Sequence, residues 1–145
     1  EIYVDWCDSW LAEVARVHAG RGFQVWLFGS ARDGAVTAEV AALSGVAVSD
    51  LAGRTTLDEA IDLLSIAARV VSNDSGLMHV AAALDRPMAA VFGSSSPEHT
   101  PPLCAKARVV TLRLSCSPCF ARQCPLGHTN CLEKLDPARV LAALD

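Results

Sequence analysis

The residues Ser72-Asn73-Asp74-Ser75-Gly76-Leu77-Met78-His79 combine a small polar turn with the start of an apolar helix. The free backbone N–H groups of a helix start point outward, and the helix dipole favours an anion there. Small residues such as Ser75 and Gly76 let a diphosphate come close to that backbone. His79, about one turn in, could donate to a phosphate or a sugar hydroxyl. The ordinary structural alternatives are an Asp N-cap at Asp74, a glycine chosen for packing at Gly76 and a core histidine at His79.

Three further segments carry candidate chemistry. In Gly29-Ser30-Ala31-Arg32-Asp33, the carboxylate of Asp33 is placed to accept from ribose hydroxyls, as acidic residues do in dinucleotide folds, or to cap a helix. Gly93-Ser94-Ser95-Ser96-Pro97-Glu98-His99-Thr100-Pro101-Pro102 is a polar, proline-rich loop, suited to a cleft rim or a plain surface turn. Cys116, Cys119, Cys124 and Cys131 crowd into one short segment with His128 among them. Four thiolates suit a tetrahedral structural Zn²⁺, and Cys116-x2-Cys119 has a common ligand spacing, although the second pair is wider than in a zinc ribbon. Free thiols packed under a loop, or disulfides, are the other readings of that cluster.

The elements that must position these residues alternate along the chain. Helical spacing of Trp6, Trp10, Leu11, Val14 and Val17 predicts a helix over 5–18, stopped by Gly20-Arg21-Gly22. Strands are expected over 23–28, 46–51, 69–72, 88–92 and 108–112. Helices are expected over 33–43, from the cap-like Thr56-Leu57-Asp58-Glu59 to Ala67 or Ala68, and over 75–84. The 75–84 helix is apolar nearly all round and is therefore expected to be deeply buried. Asp136-Pro137 opens a last helix, with Asp as N-cap and Pro at its first position. Single-helix crossovers make the strands parallel. The fold class is therefore α/β, a Rossmann-like doubly wound parallel sheet, with ligands beyond the carboxyl ends of the strands. No long linker interrupts the sequence, so residues 1–145 read as one domain.

Composition narrows the function. Of 145 residues, 52% are hydrophobic and 19% charged, which excludes a disordered chain. A net charge of -4 argues against a nucleic-acid groove. No apolar window is long enough for a transmembrane segment. Neither the glycine fingerprint of NAD-type folds nor a Walker-type loop is present. The chain opens at Glu1 with no export signal, so it reads as a segment of a longer protein from a reducing, cytosolic compartment.

Phe28-Gly29-Ser30-Ala31-Arg32-Asp33, the run from Asn73 to Leu84, and Phe92-Gly93-Ser94-Ser95-Ser96-Pro97 occur in an order and spacing that resemble a known family. It is that of the ADP-heptose:lipopolysaccharide heptosyltransferases, and within it the heptosyltransferase II branch, which the stretch from Arg108 to Leu132 also resembles. The likeness covers nearly the whole chain. It implies the C-terminal, donor-binding half of a GT-B glycosyltransferase, two Rossmann-like domains facing across a cleft. By the resemblance, Asp74, Ser75, Gly76 and His79 hold the diphosphate and heptose of ADP-L-glycero-D-manno-heptose. Asp33 matches the position of a ribose-binding acid, and Arg54 and Thr55 match the loop beside adenine.

The same resemblance implies that the acceptor, the lipopolysaccharide inner core, is held by an N-terminal domain not contained in this sequence. That domain also carries the catalytic base and a glycine- and lysine-containing phosphate loop, which Glu1 to Asp5 does not match. Heptose transfer is then inverting, requires no cofactor, and occurs in the cytoplasm or at the inner face of the inner membrane. The segment alone should bind nucleotide weakly and catalyse nothing. Two rivals stand beside this reading: a UDP-sugar GT-B transferase or epimerase, and a non-catalytic zinc-stabilised interaction module centred on the cysteines.

Overall fold

The computed structural model describes residues 8–145. The expected helix positions Asp5 and Trp6, the comparison of Glu1 to Asp5 with a phosphate loop, and Cys7 lie outside the described residues. These divide into two compact units, residues 8–62 and residues 63–145, with the boundary inside one helix.

In residues 8–62, α1 (Asp8–Gly20) packs against α2 (Gly34–Ser44), and a parallel pair joins β1 (Trp26–Leu27) to β2 (Ser49–Asp50). Trp10, Ala12, Val14, Ala15 and Val40 are buried. The C-terminal carbonyls of α2 have a cationic partner. Arg16 donates from Nε to the Ser44 carbonyl at 3.1 Å and from Nη2 to the Leu43 carbonyl at 3.2 Å, where the helix dipole favours positive charge. Gly45, at φ 65°, takes the left-handed position that ends the helix.

The strand expected over 23–28 is shorter at its start for a local reason. The Phe23 N–H bonds back to the His18 carbonyl at 3.1 Å, closing the end of α1. Beyond that, the bonds Ser49 N–H to Val25 O, Leu51 N–H to Leu27 O and Gly53 N–H to Gly29 O, each 2.9 Å, carry the pairing to the loop after β1. The cap read at Thr56 is a reciprocal box: the Glu59 N–H reaches Thr56 Oγ1 at 3.2 Å, and the Thr56 N–H reaches Glu59 Oε2 at 2.8 Å. It opens α3 (Leu57–Ser65).

Residues 63–145 build a three-stranded parallel sheet in the order β3 (Val70–Asn73), β4 (Met88–Val91), β5 (Ala107–Val110). The central strand is buried at every position, which is why it reads as an unbroken apolar run. Met88, Ala90 and Phe92 share one face and form a core with Met78, Ala81 and Ala82 of α4 (Gly76–Ala83) and with Leu64. α6 (Pro137–Leu144) packs on β4 and β5 through the fully buried Val140. Its expected cap is present, the Asp136 side chain accepting from the Ala138 N–H at 2.8 Å. One short helix, α5 (Asn130–Glu133), was not expected.

The architecture is thus α/β with parallel strands, as the sequence indicates. The strand expected over 46–51 is likewise shorter, Ser49–Asp50, and a further expectation needs correction. α4 is not buried all round: Met78, Ala81 and Ala82 face the core, while Gly76, His79 and Ala83 are exposed. Small side chains make the exposed face look apolar in sequence although it meets solvent. Among the described residues, no helix is long and apolar enough to cross a membrane.

Candidate functional site

The register aligns Asn73, the last residue of β3, with Val91, the last of β4. The turns that follow both strands therefore leave the sheet at the same end, its carboxyl end. In the first turn, Ser75 is the N-cap of α4, extended at φ -147° and ψ 169°, and its side chain makes no cap hydrogen bond. The first N–H groups of α4 are thus not satisfied by that side chain and keep their capacity for an anion.

The Asp N-cap allowed by the sequence does not form at Asp74. Its Oδ2 instead accepts from the Thr100 hydroxyl at 2.8 Å. Thr100 is placed by its own N–H, which bonds the Ser96 carbonyl at 3.2 Å. The Ser72 and Ser75 hydroxyls stand 3.3 Å apart, and Ser72 also donates to the Asn73 carbonyl at 2.9 Å. Gly76 is not a packing glycine, since a Cβ there would meet nothing within 4 Å. Nor is His79 a core histidine, because it is exposed on the face of α4 that carries Gly76. Asp74, Ser75, Gly76 and His79 are therefore gathered around one helix start. Thr100 joins them. Sequence reading passed over Thr100 because its partner lies far along the chain, and only its place in a polar loop after a strand hinted at a role.

In residues 8–62 the loops after β1 and β2 are pinned together. The Gly53 N–H bonds the Gly29 carbonyl at 2.9 Å, and Gly53, at φ 68°, lies so close to Ala31 that a Cβ would come within 2.8 Å of its Cα. Asp33 lies in the first of these loops, with Arg54 and Thr55 in the second. The cap expected of Asp33 runs backwards along the chain. Its Oδ2 accepts from the Ser30 N–H at 2.6 Å and the Ser30 hydroxyl at 2.8 Å, and it makes no cap bond to α2. Asp33 is half-buried and Arg54 is exposed.

Cys116, Cys119, Cys124 and Cys131 are free thiols. All four, with His128, Ser94 and Ser117, line one cavity of about 20 Å³. Among the described residues, no three or more His, Cys, Asp or Glu side chains are already gathered as a metal-holding cluster. The backbone N–H of Thr129, ahead of those of His128, Leu126 and Gly127, lowers the Cys124 thiol pKa against the opposing effect of burial. Burial raises that of Cys131, with Cys119, Cys124 and Cys116 adding to the rise.

The profile of glycosyltransferase family 9 (heptosyltransferase) matches residues 5–130. The chain belongs to glycosyltransferase family 9. Lipopolysaccharide heptosyltransferase 2 of Salmonella typhimurium is 43% identical over 143 residues, which cover 96% of this chain and 41% of that protein. Lipooligosaccharide heptosyltransferase 2 of Haemophilus influenzae is 42% identical over 111 residues, covering 74% of this chain and 32% of that protein. The solved ADP-heptose lps heptosyltransferase II of E. coli superposes with a TM-score of 0.81 at 41% identity, over 96% of this chain and 40% of that one. An E. coli heptosyltransferase solved with ADP superposes with a TM-score of 0.73 at 27% identity, over 94% of this chain and 38% of that one.

This family 9 chain therefore spans about two fifths of the length of the Salmonella relative. Its likeness to heptosyltransferase II, read first from three short motifs, extends over nearly all its residues.

Proposed function

We propose that this chain is the donor-binding part of an enzyme that transfers heptose from ADP-L-glycero-D-manno-heptose to the lipopolysaccharide inner core. The observation that carries the reading is the start of α4: Ser75 makes no side-chain cap bond, and the exposed Gly76 and His79 lie beside it. Family membership and the heptosyltransferase relatives support the transferase class, and the relative solved with ADP supports the nucleotide.

In this mechanism the acceptor hydroxyl attacks the anomeric carbon from the face opposite the diphosphate, inverting that centre. Its proton passes to a base supplied by a part of the enzyme outside this chain. ADP departs with the electron pair of the broken glycosidic C–O bond, and negative charge grows on its terminal phosphate. The α4 N–H groups stabilise that charge where it develops, with His79 donating to the phosphate or to a sugar hydroxyl. In residues 8–62, Asp33 accepts from the ribose hydroxyls, and Arg54 and Thr55 flank the adenine. No step runs through a metal or other cofactor, and the reaction takes place at the cytoplasmic side of the inner membrane.

The test is a titration of the 145-residue chain with ADP, UDP and GDP, followed by calorimetry and amide shifts. Saturable ADP binding that moves the Asp33 and Asp74-to-His79 signals, and that weakens in Asp74→Ala, is expected. UDP binding as tight as ADP would overturn the nucleotide assignment and favour a UDP-sugar enzyme. Absence of nucleotide binding at millimolar ligand would overturn the donor-domain reading.

A further inference from the structure

Residues 111–129 contain no helix or strand. Segments of that length inside a compact unit are uncommon unless something holds them, and backbone bonding here is sparse. The loop anchors itself to the strand-end turn after β4. The Phe120 N–H bonds the Ser94 carbonyl at 2.8 Å, and the Ser117 hydroxyl bonds the Gly93 carbonyl. Beyond these anchors, the feature the loop turns around is the cavity lined by its three cysteines together with Cys131 of α5.

We propose that Cys116, Cys119, Cys124 and Cys131 bind one structural Zn²⁺ in this cavity, and that the metal clamps the loop after β4. Three observations lead there. The donors are four soft sulfur atoms, the number and type that a closed tetrahedral zinc site uses. The turn Cys124-Pro125-Leu126-Gly127 is closed by the Gly127 N–H on the Cys124 carbonyl at 3.0 Å. This fixes in place one of the four cysteines that line the cavity. Finally, the His128 Nδ1 lone pair is taken: it accepts from the Asn130 N–H at 3.1 Å, with the Cys124 sulfur 4.0 Å away. The neutral ring then carries its proton on Nε2, so neither nitrogen offers a lone pair, and the thiols are the ligand set.

The four cysteines line one small space without being gathered into a tetrahedron, so the metal draws their sulfurs inward and releases the thiol protons to solvent. Cys131 ties the site to the sheet. Its Sγ would lie 3.3 Å from a Cβ placed on Gly93, directly under the loop that follows β4. Metal binding therefore fixes Gly93 to Ser96 from behind.

The experiment uses the 145-residue chain, purified under reducing conditions without added metal or chelator. Elemental analysis is expected to find stoichiometric zinc. Replacement by Co²⁺ is expected to give tetrahedral visible bands with thiolate-to-metal charge transfer. Stripping the metal should shift the Gly93-to-Ser96 amide signals while leaving those of α1 and α2 in place. Cys116→Ser and Cys131→Ser should each lose the charge-transfer intensity, while Cys104→Ser keeps it. A reduced, folded wild-type chain that takes up no Co²⁺ would overturn the proposal. So would Co²⁺ bands that survive both ligand substitutions, or native protein in which these cysteines are paired as disulfides.

Discussion

Thr100 donates its hydroxyl hydrogen to Asp74 across 2.8 Å, joining a proline-rich loop to the turn that begins α4. The bond fixes one carboxylate oxygen and so orients the other. A carboxylate held this way keeps its place beside the helix start before any ligand arrives, which lowers the cost of ordering it on binding.

Replacing Thr100 by Val removes the donor while keeping the shape. A hydrogen bond to a charged group contributes about 1.5–3 kcal/mol, so ADP affinity should fall by roughly tenfold or more. Thr100→Ser should recover most of it. Calorimetric Kd values for the three proteins check this, and equal affinities for Thr100→Val and the parent would refute the positioning role.

The two glycines Gly53 and Gly127 share nearly the same left-handed φ, 68° and 69°, but not the same surroundings. A Cβ on Gly53 meets the backbone of Ala31 at 2.8 Å, whereas one on Gly127 meets nothing within 4 Å. Gly127→Ala should therefore cost only the backbone term, about 1 kcal/mol. Gly53→Ala adds the clash and should cost about 2–4 kcal/mol. Urea midpoints of the two variants separate the contributions, and equal losses would mean the Ala31 contact yields freely.

Asp85 supplies a pH test. Its carboxylate takes the Lys106 ammonium at 2.5 Å and the Cys104 thiol at 3.4 Å, and these hydrogen bonds hold its pKa below the ordinary value. A lowered folded-state pKa contributes stability that is complete above the ordinary carboxylate range. That contribution is lost as the pH falls through the lowered value. Asp85→Asn should consequently melt below the parent at pH 7, with the gap closing as the pH falls below the ordinary carboxylate range. Because the pair is exposed, the difference should be small and should shrink with added salt. A gap that is constant with pH would exclude the charge as its origin.

Much of the frame is legible from local sequence. The reciprocal box at Thr56 and Glu59, the Asp136-Pro137 start and the apolar run of β4 each follow from chemistry within a few residues. What failed to show is long-range or directional. Asp74 looks like a cap until Thr100 is brought beside it from 26 positions away. Asp33 is likewise read as capping the helix ahead, while its carboxylate turns back to Ser30. That Ser-x-x-Asp spacing was visible and could have revealed the arrangement. His79 sits among alanines, valine and methionine, and nothing in their hydropathy says which side of α4 meets solvent. The fold class and the family were readable because motif order and strand period survive without such contacts.

The hold of Ser117 and Phe120 on the Gly93 and Ser94 carbonyls has a consequence for how this protein can change. Surface loops ordinarily accept insertions and deletions with little penalty. Between Cys116 and Phe120, a single added residue would move both anchors out of register with the end of β4. At the exposed Arg122 and Gln123 the same insertion would displace neither. Length variation should thus be confined to one side of an outwardly uniform loop, with the other side kept to a constant count.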